Sequence, residues 1–283
     1  MKNFFKIIGL LTLVFFSFFY TEKVIEVINE QDEIMINIKN NLNKYNEKSV
    51  NATIKDDTII PGISGREVNV EKSYKAMKKI GTFNEKLLSY NEILPTISIH
   101  NNKDKYIIKG NNKYKEISLI FKINDNKNYN KLLQILKNKN IKANLFLSYD
   151  YLNQNINSIE KNENFEFYSY GNKGEYKEEI IILSNNIITR KSNNANICLT
   201  EKLKNNTLNI CSENNLHTIY PTIINGTYQS IKTKIENGSI ISFEITENTL
   251  TELPIIIDYI ESKGYKIDLL SELINENKQN STQ

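Results

Sequence analysis

A chain of 283 residues can bury a full hydrophobic core, as one large domain or as a medium domain with a smaller partner. Its 36 basic and 33 acidic residues leave a formal charge of +3, which excludes binding of nucleic acid or of an acidic substrate through bulk charge. With two histidines and two cysteines in the whole chain, nitrogen and sulfur ligands for a metal are scarce, and neither histidine stands at a ligand-like spacing from a cysteine.

The chain opens with Lys2 and Lys6 ahead of the unbroken run IIGLLTLVFFSFFY at residues 7–20, followed by the polar TEK. This layout predicts a signal anchor over residues 1–21, a single transmembrane helix at the short end of the spanning range, of about 17 residues when Phe4 and Phe5 are counted. A cleaved signal peptide shares the layout, but SFFYTEK offers no small-x-small site after the run. Both readings place the bulk of the chain outside the cytoplasm, the first as a single-pass protein of the cell membrane. Residues 22–56 are polar with scattered Val, Ile and Met and read as a stalk. Residues 57–112 read as a small α+β region: a turn at Pro61 and Gly62, a short strand, Asn69 as an N-cap, a helix carrying Tyr74, Met77 and Ile80, and Gly81 as its stop.

From residue 113 to 275 short apolar runs alternate with helix-length segments, the pattern of a parallel βα architecture. The strands expected are ISLIFKI, ANLFL, FEFY, NICL, TIYPTII, SIISFEI and YKIDLL. The helices expected include NYNKLLQILKNKN, where Leu132, Leu133, Ile135 and Leu136 form one apolar face, and TLTELPIIIDYIESKG, with Pro254 near its first turn and Gly264 at its end. Periodicity leaves a barrel and a doubly wound sheet equally open. Cys198 and Cys211 lie close in sequence in a chain expected to meet oxidising conditions, and read as a disulfide or else as two buried thiols. Residues 276–283 read as a disordered tail.

Taken together, IPGISGREVNVEKSYKAMKKIGTFNEKLL, the strand pair ISLIFKIND and IKANLFLS, and GSIISFEITENTLTELPIIIDYIESKGYKIDLLSELI resemble the polysaccharide deacetylase (NodB homology) family, in particular its divergent membrane-anchored bacterial members. The resemblance covers about 117–275. It implies an α/β fold with a deformed (β/α)7 barrel and a metal-dependent hydrolase, using a divalent ion such as zinc, that removes N- or O-acetyl groups from cell-wall or extracellular glycans.

The family's chemistry rests on a T-F-D-D pattern ending the first strand, an H-x-x-x-H pair of metal ligands and a late L-H-D general acid. A polarised acyl oxygen, an activated water and a proton shuttle must all be present together. On this sequence the two aspartate positions fall on Lys122 and Ile123, the two histidine positions on Tyr170 and Gly174, and the late histidine on Glu244, while NICLTEKL around Cys198 stands where the family carries an Arg-Pro-Pro-Tyr-Gly loop. The resemblance therefore implies lost metal ligands, no cofactor and no expected catalytic residue. Asp125 and Glu244 are the only substitutes in reach, and Asp125, between Asn124 and Asn126, reads first as turn chemistry. Binding candidates are Tyr168 and Tyr170, as rings to stack on sugars, and Glu244 at a strand C-terminus. The expected function is a deacetylase-like pseudoenzyme that binds glycan or serves a structural role at the cell envelope. Its partners would be a glycan and the membrane, with no nucleic acid, and the alternative is an active hydrolase with a rebuilt site.

Overall fold

The computed structural model describes residues 2–155, 157, 159, 162–190, 196–203 and 206–278. The chain divides into two compact units, one formed by 1–48 with 65–93 and the other by 49–64 with 94–283.

In the first unit, helix α1 (Lys2–Glu30) continues nine residues past the expected end of the anchor at residue 21. Among the described residues no helix is long and apolar enough to cross a membrane. The unbroken apolar run of 7–20 would make about 21 Å of helix against a hydrocarbon core of about 30 Å. Helices α2 (Glu33–Asn40) and α3 (Leu42–Tyr45) follow, with Asp32 capping α2 by accepting from the Ile34 amide at 2.9 Å. The chain then leaves for the second unit, where it forms strands β1 (Thr53–Lys55) and β2 (Thr58–Ile60). It returns to the first as β3 (Gly65–Val68), α4 (Val70–Lys78) and β4 (Tyr90–Ile93), with β3 and β4 antiparallel. Asn69 caps α4 through the Lys72 amide at 2.9 Å, and Gly81 takes the left-handed φ of +81° just past its end. Ile34, Met35 and Ile38 of α2 pack with Val68, Tyr74 and Met77. Residues 33–40 and 42–45 of the expected stalk are helical, and the apolar stripe of α2 is buried against α4.

The second unit continues with β5 (Tyr106–Ile107), β6 (Glu116–Ile123), α5 (Tyr129–Asn138), β7 (Ala143–Leu147), α6 (Tyr149–Asn155), β8 (Phe165–Ser169), α7 (Glu178–Ile188) and β9 (Ile197–Leu199). It ends with α8 (Thr207–Glu213), β10 (His217–Ile219), α9 (Tyr228–Lys234), β11 (Ile240–Glu244), α10 (Glu247–Ser262), β12 (Lys266–Ile267) and α11 (Leu270–Leu273). One sheet runs β11-β6-β7-β8, all parallel, with β12 added beside the start of β6. The other runs β1-β2-β5-β10-β9, parallel apart from the β1–β2 hairpin. A single parallel bridge, Ile223 to Ile241, ties the segment after β10 to β11, and no ladder joins β8 to β9 among the described residues. The architecture is α/β with two parallel sheets.

The boundary expected between 57–112 and the βα region is also corrected. Strands β2 and β5 pair with each other and β5 pairs with β10, so segments on both sides of residues 65–93 in the sequence complete one sheet. The tail is corrected in part: Glu276 is buried and accepts from the Gly62 amide at 2.6 Å, the Ile99 amide at 3.3 Å and the Ser98 hydroxyl. Residues 279–283 of the expected tail lie outside the described residues.

Strand period fixes what faces where. Along β6, Ile117, Leu119, Phe121 and Ile123 join the core under α5 and α10, whereas Ser118, Ile120 and Lys122 point the other way. In β7 and β8, Leu145, Leu147, Phe165 and Phe167 take the helix side, and Asn144, Phe146, Glu166 and Tyr168 take the opposite face. In β11, Ile241 and Phe243 face the helices, Phe243 stacked on Phe121 at 5.2 Å, and Ile240, Ser242 and Glu244 face inward. The inner face is apolar at mid-strand, through Ile120, Phe146, Tyr168, Leu199, Ile219 and Ile240, and polar at both strand ends. At the N-terminal end Asn144 donates to Ser118 Oγ at 2.8 Å and to the Leu119 carbonyl at 2.9 Å, closing the interior there. The strands' C-terminal end holds the candidate site.

Candidate functional site

Lys122 is the penultimate residue of β6 and points inward with a side chain that is 0 % exposed. A buried ammonium is costly unless every proton finds an acceptor. Here Nζ donates to Glu201 Oε1 at 2.7 Å and Oε2 at 2.8 Å and to Asn225 Oδ1 at 2.9 Å, and Glu244 Oε1 lies 3.1 Å away. Glu201 also accepts from the Ser242 hydroxyl at 2.7 Å. Each partner arrives on a different element. Glu201 follows β9, Asn225 sits in the loop after β10 at a left-handed φ of +49° that Asn tolerates, and Glu244 ends β11, where parallel register sets it opposite Lys122.

Tyr170, one residue beyond β8, is almost fully buried, and burial first, then the Glu201 and Glu244 carboxylates, push its phenol well above the ordinary tyrosine range. It and Glu201 line a cavity of about 470 Å³ with Lys173, Lys177, Thr200, Lys202 and Thr207. A cavity of that size is within the range of small-ligand sites. The Tyr170–Glu175 turn is tight: Gly174 donates its amide to the Tyr170 carbonyl at 2.7 Å, and a Cβ on Gly174 would meet Tyr170 Oη at 3.1 Å. Tyr176 donates to the Ser169 carbonyl and accepts from the Leu199 amide, both at 2.9 Å, which pins β9 beside β8 without a ladder. The Cys198–Cys211 disulfide ties β9 to α8 two residues before Thr200 and three before Glu201.

Of the candidates named from sequence, the structure brings Glu244 and Tyr170 to this centre and leaves two others out. Asp125 is exposed beyond the end of β6, and its Oδ1 accepts from the Lys127 amide at 2.8 Å, an Asx turn. Tyr168 as a sugar-stacking ring is corrected: it is 0 % exposed, stacked on Phe146 at 5.0 Å, with its hydroxyl donating to Glu166 at 2.6 Å. Two residues of the same face, one step of the pleat apart, thus divide into core and site. Glu201 and Asn225, by contrast, were invisible as site residues. The one sequence signal was Lys122 itself, a basic residue inside an apolar strand, which must draw acceptors from elsewhere in the fold.

The metal implied by the family resemblance does not fit these residues. An ammonium already holds the focus of Glu201, Glu244 and Asn225, and among the described residues no group of three His, Cys, Asp or Glu is placed to hold a metal ion. Ile123, which the resemblance puts at the second aspartate position, is buried in the core on the helix-facing side, away from the centre.

No family model matches the sequence. An uncharacterized protein of Bacillus subtilis (strain 168), YlxY, is 25 % identical over 260 residues, spanning 83 % of this chain and 81 % of its own. Among solved structures, BA3943 of Bacillus anthracis, described as a family 4 carbohydrate esterase pseudoenzyme, aligns with a TM-score of 0.61 and 22 % identity over 88 % of this chain and 98 % of its own. The Bc1960 peptidoglycan N-acetylglucosamine deacetylase aligns with a TM-score of 0.53 and 19 % identity over 61 % of this chain and 95 % of its own. The chain therefore has the fold of the family 4 carbohydrate esterases, which is the polysaccharide deacetylase fold.

Proposed function

We propose that this chain is a deacetylase-like protein of the cell envelope that binds glycan at the C-terminal end of its parallel strands without hydrolysing it. The observation that carries the reading is Lys122. The position at which the resemblance puts a catalytic aspartate holds a fully buried ammonium saturated by Glu201, Asn225 and Glu244. A general base must be a free acceptor within reach of a water, and here the carboxylate nearest the centre is spent on Lys122 and Ser242. The similarity to one protein described as a pseudoenzyme and another described as a peptidoglycan N-acetylglucosamine deacetylase supports a glycan as ligand and a non-catalytic role. The disulfide and the apolar run of 7–20, as signal or anchor, support a location outside the cytoplasm.

An active hydrolase built on Asp125 and Glu244 has no observation in its favour, since Asp125 is engaged in its own turn. The full chain is to be tested for acetate release from acetylated chitooligosaccharide and peptidoglycan, and for binding of the same glycans by titration calorimetry. Binding without acetate release is expected and should weaken in Tyr170→Ala. Acetate release at stoichiometric zinc would overturn the non-catalytic reading, and absence of binding to either glycan would overturn the glycan reading.

A further inference from the structure

The cavity of about 470 Å³ is walled by the turn after β8 and by the segment after β9, and each wall brings ammonium groups to it: Lys173 and Lys177 from the first, Lys202 from the second. None of the three ammoniums has an ion-pair or hydrogen-bond partner among the described residues, whereas Lys109, Lys142 and Lys278 of the same unit are all paired. We propose that the ligand of this cavity is an acidic glycan, one whose sugars carry carboxylate or phosphate groups that pair with Lys173, Lys177 and Lys202, in preference to a neutral chain.

Three observations carry the inference. Counting the buried centre with the cavity, Lys122, Lys173, Lys177 and Lys202 stand against Glu175, Glu201 and Glu244, a net charge of +1. Lys122 takes up Glu201 and Glu244, which leaves Glu175 to oppose three outer lysines, and unmatched charge of one sign around a concave wall concentrates its field on whatever enters. Tyr170, 8 % exposed, keeps its proton because burial and the two carboxylates hold it, and its hydroxyl has no hydrogen-bond partner among the described residues, so a donor beside the lysines is free for a ligand oxygen. Lys173 holds a left-handed φ of +55°, whereas every other non-glycine residue at such a φ among the described ones is Asn or Asp; the turn keeps this ammonium at the cavity in a conformation that lysine tolerates less well. The inference rests on the glycan-binding reading of the same cavity and narrows it to acidic chains.

The test uses the full chain, as wild type and with Lys173→Gln, Lys177→Gln and Lys202→Gln combined. Titration calorimetry compares chitotetraose, chitotetraose phosphorylated at its primary hydroxyls, and a peptide-free peptidoglycan tetrasaccharide, in which every second sugar of a similar N-acetylated backbone carries a lactyl carboxylate. The wild type is expected to bind at least one acidic form about tenfold more tightly than chitotetraose at low salt, and to lose that advantage in about 1 M NaCl, where the Debye length is about 3 Å. The acidic form bound more tightly identifies the group as carboxylate or phosphate. In the triple variant the acidic and neutral forms should bind within about twofold of one another at low salt. The three side chains are exposed and unpartnered, so the fold is not at stake, and the salt dependence is read on the wild type alone. A wild type that binds chitotetraose as tightly as both acidic forms would overturn this proposal and leave the glycan reading standing, as would a triple variant that keeps the full advantage; no binding of any of the three would overturn both.

Discussion

If the Lys122 centre is held by charge, removing one sign should cost far more than removing both. Glu201→Gln leaves the ammonium, 0 % exposed, with Asn225 at 2.9 Å and Glu244 at 3.1 Å. Stranding a buried charge outright costs about 3–5 kcal/mol, and Glu244 retains part of the attraction, so this variant should lose about 2–3 kcal/mol. Lys122→Met keeps the approximate length and volume of the side chain and leaves the Glu201 carboxylate, 19 % exposed, with the Ser242 hydroxyl as its hydrogen-bond donor among the described residues, at a cost of about 2 kcal/mol. The double variant replaces the pair by a thioether and a neutral amide and should fall within about 1 kcal/mol of the wild type, because a buried ion pair exchanged for well-fitting neutral groups is often close to neutral. The cycle therefore predicts a coupling of about 3 kcal/mol, measured by equilibrium denaturation of the full chain with a common m-value. Singles that add to within about 0.5 kcal/mol would refute the ionic account of the centre and reduce Lys122 to a packed aliphatic stem.

Three further outcomes follow from other parts of the second unit. Breaking Cys198–Cys211, whose sequence separation is 13, releases a short loop worth about 3 kcal/mol in the chain-entropy model, so a Cys198→Ala, Cys211→Ala chain should unfold at lower denaturant and, unlike the wild type, be insensitive to reductant. His217 is buried, and burial, then His100 and Lys103, lower its pKa from 6.5 to about 4. The folded state resists protonation that the unfolded chain accepts, so the stabilisation is complete above pH 6.5 and is lost as pH falls toward 4, by up to about 3 kcal/mol. His217→Gln should flatten the stability profile between pH 6.5 and 5, and an unchanged slope would contradict the assignment. Ending the chain at Asn275 removes the Glu276 carboxylate from the Gly62 and Ile99 amides and the Ser98 hydroxyl and should cost about 2–3 kcal/mol, whereas ending it at Lys278 should cost far less, as read by thermal unfolding.

The strands and helices of the βα region were readable because each is a local pattern. ISLIFKI, ANLFL and SIISFEI are short runs bounded by turn residues, and all three form strands where expected. Helix α7 escaped because EEIIILSNNII clusters its isoleucines instead of spacing them along one stripe, and TIYPTII gives only the short β10, ending ahead of Pro221. Unit boundaries differ from those expected because sheet membership is not local: β2 and β5 are separated in sequence by residues 65–93 of the first unit, yet are neighbours.

The sequence by itself determined which residues the family resemblance puts at the aspartate and histidine positions: a lysine, an isoleucine, a tyrosine and a glycine. It also determined strand identity, whereas the shared face of Lys122 and Glu244 comes from the parallel register of β6 and β11. Only the tertiary structure decided what stands there instead. Glu201, Asn225 and Glu244 lie 79, 103 and 122 positions along the chain from Lys122, and the parallel strands bring them together at one end of the interior. Depth along the strand likewise separated Tyr168 from Tyr170, because Tyr168 lies in the packed interior at mid-strand and Tyr170 lines the cavity beyond the C-terminal end of β8, where an apolar core gives way to groups that must satisfy one another's charge.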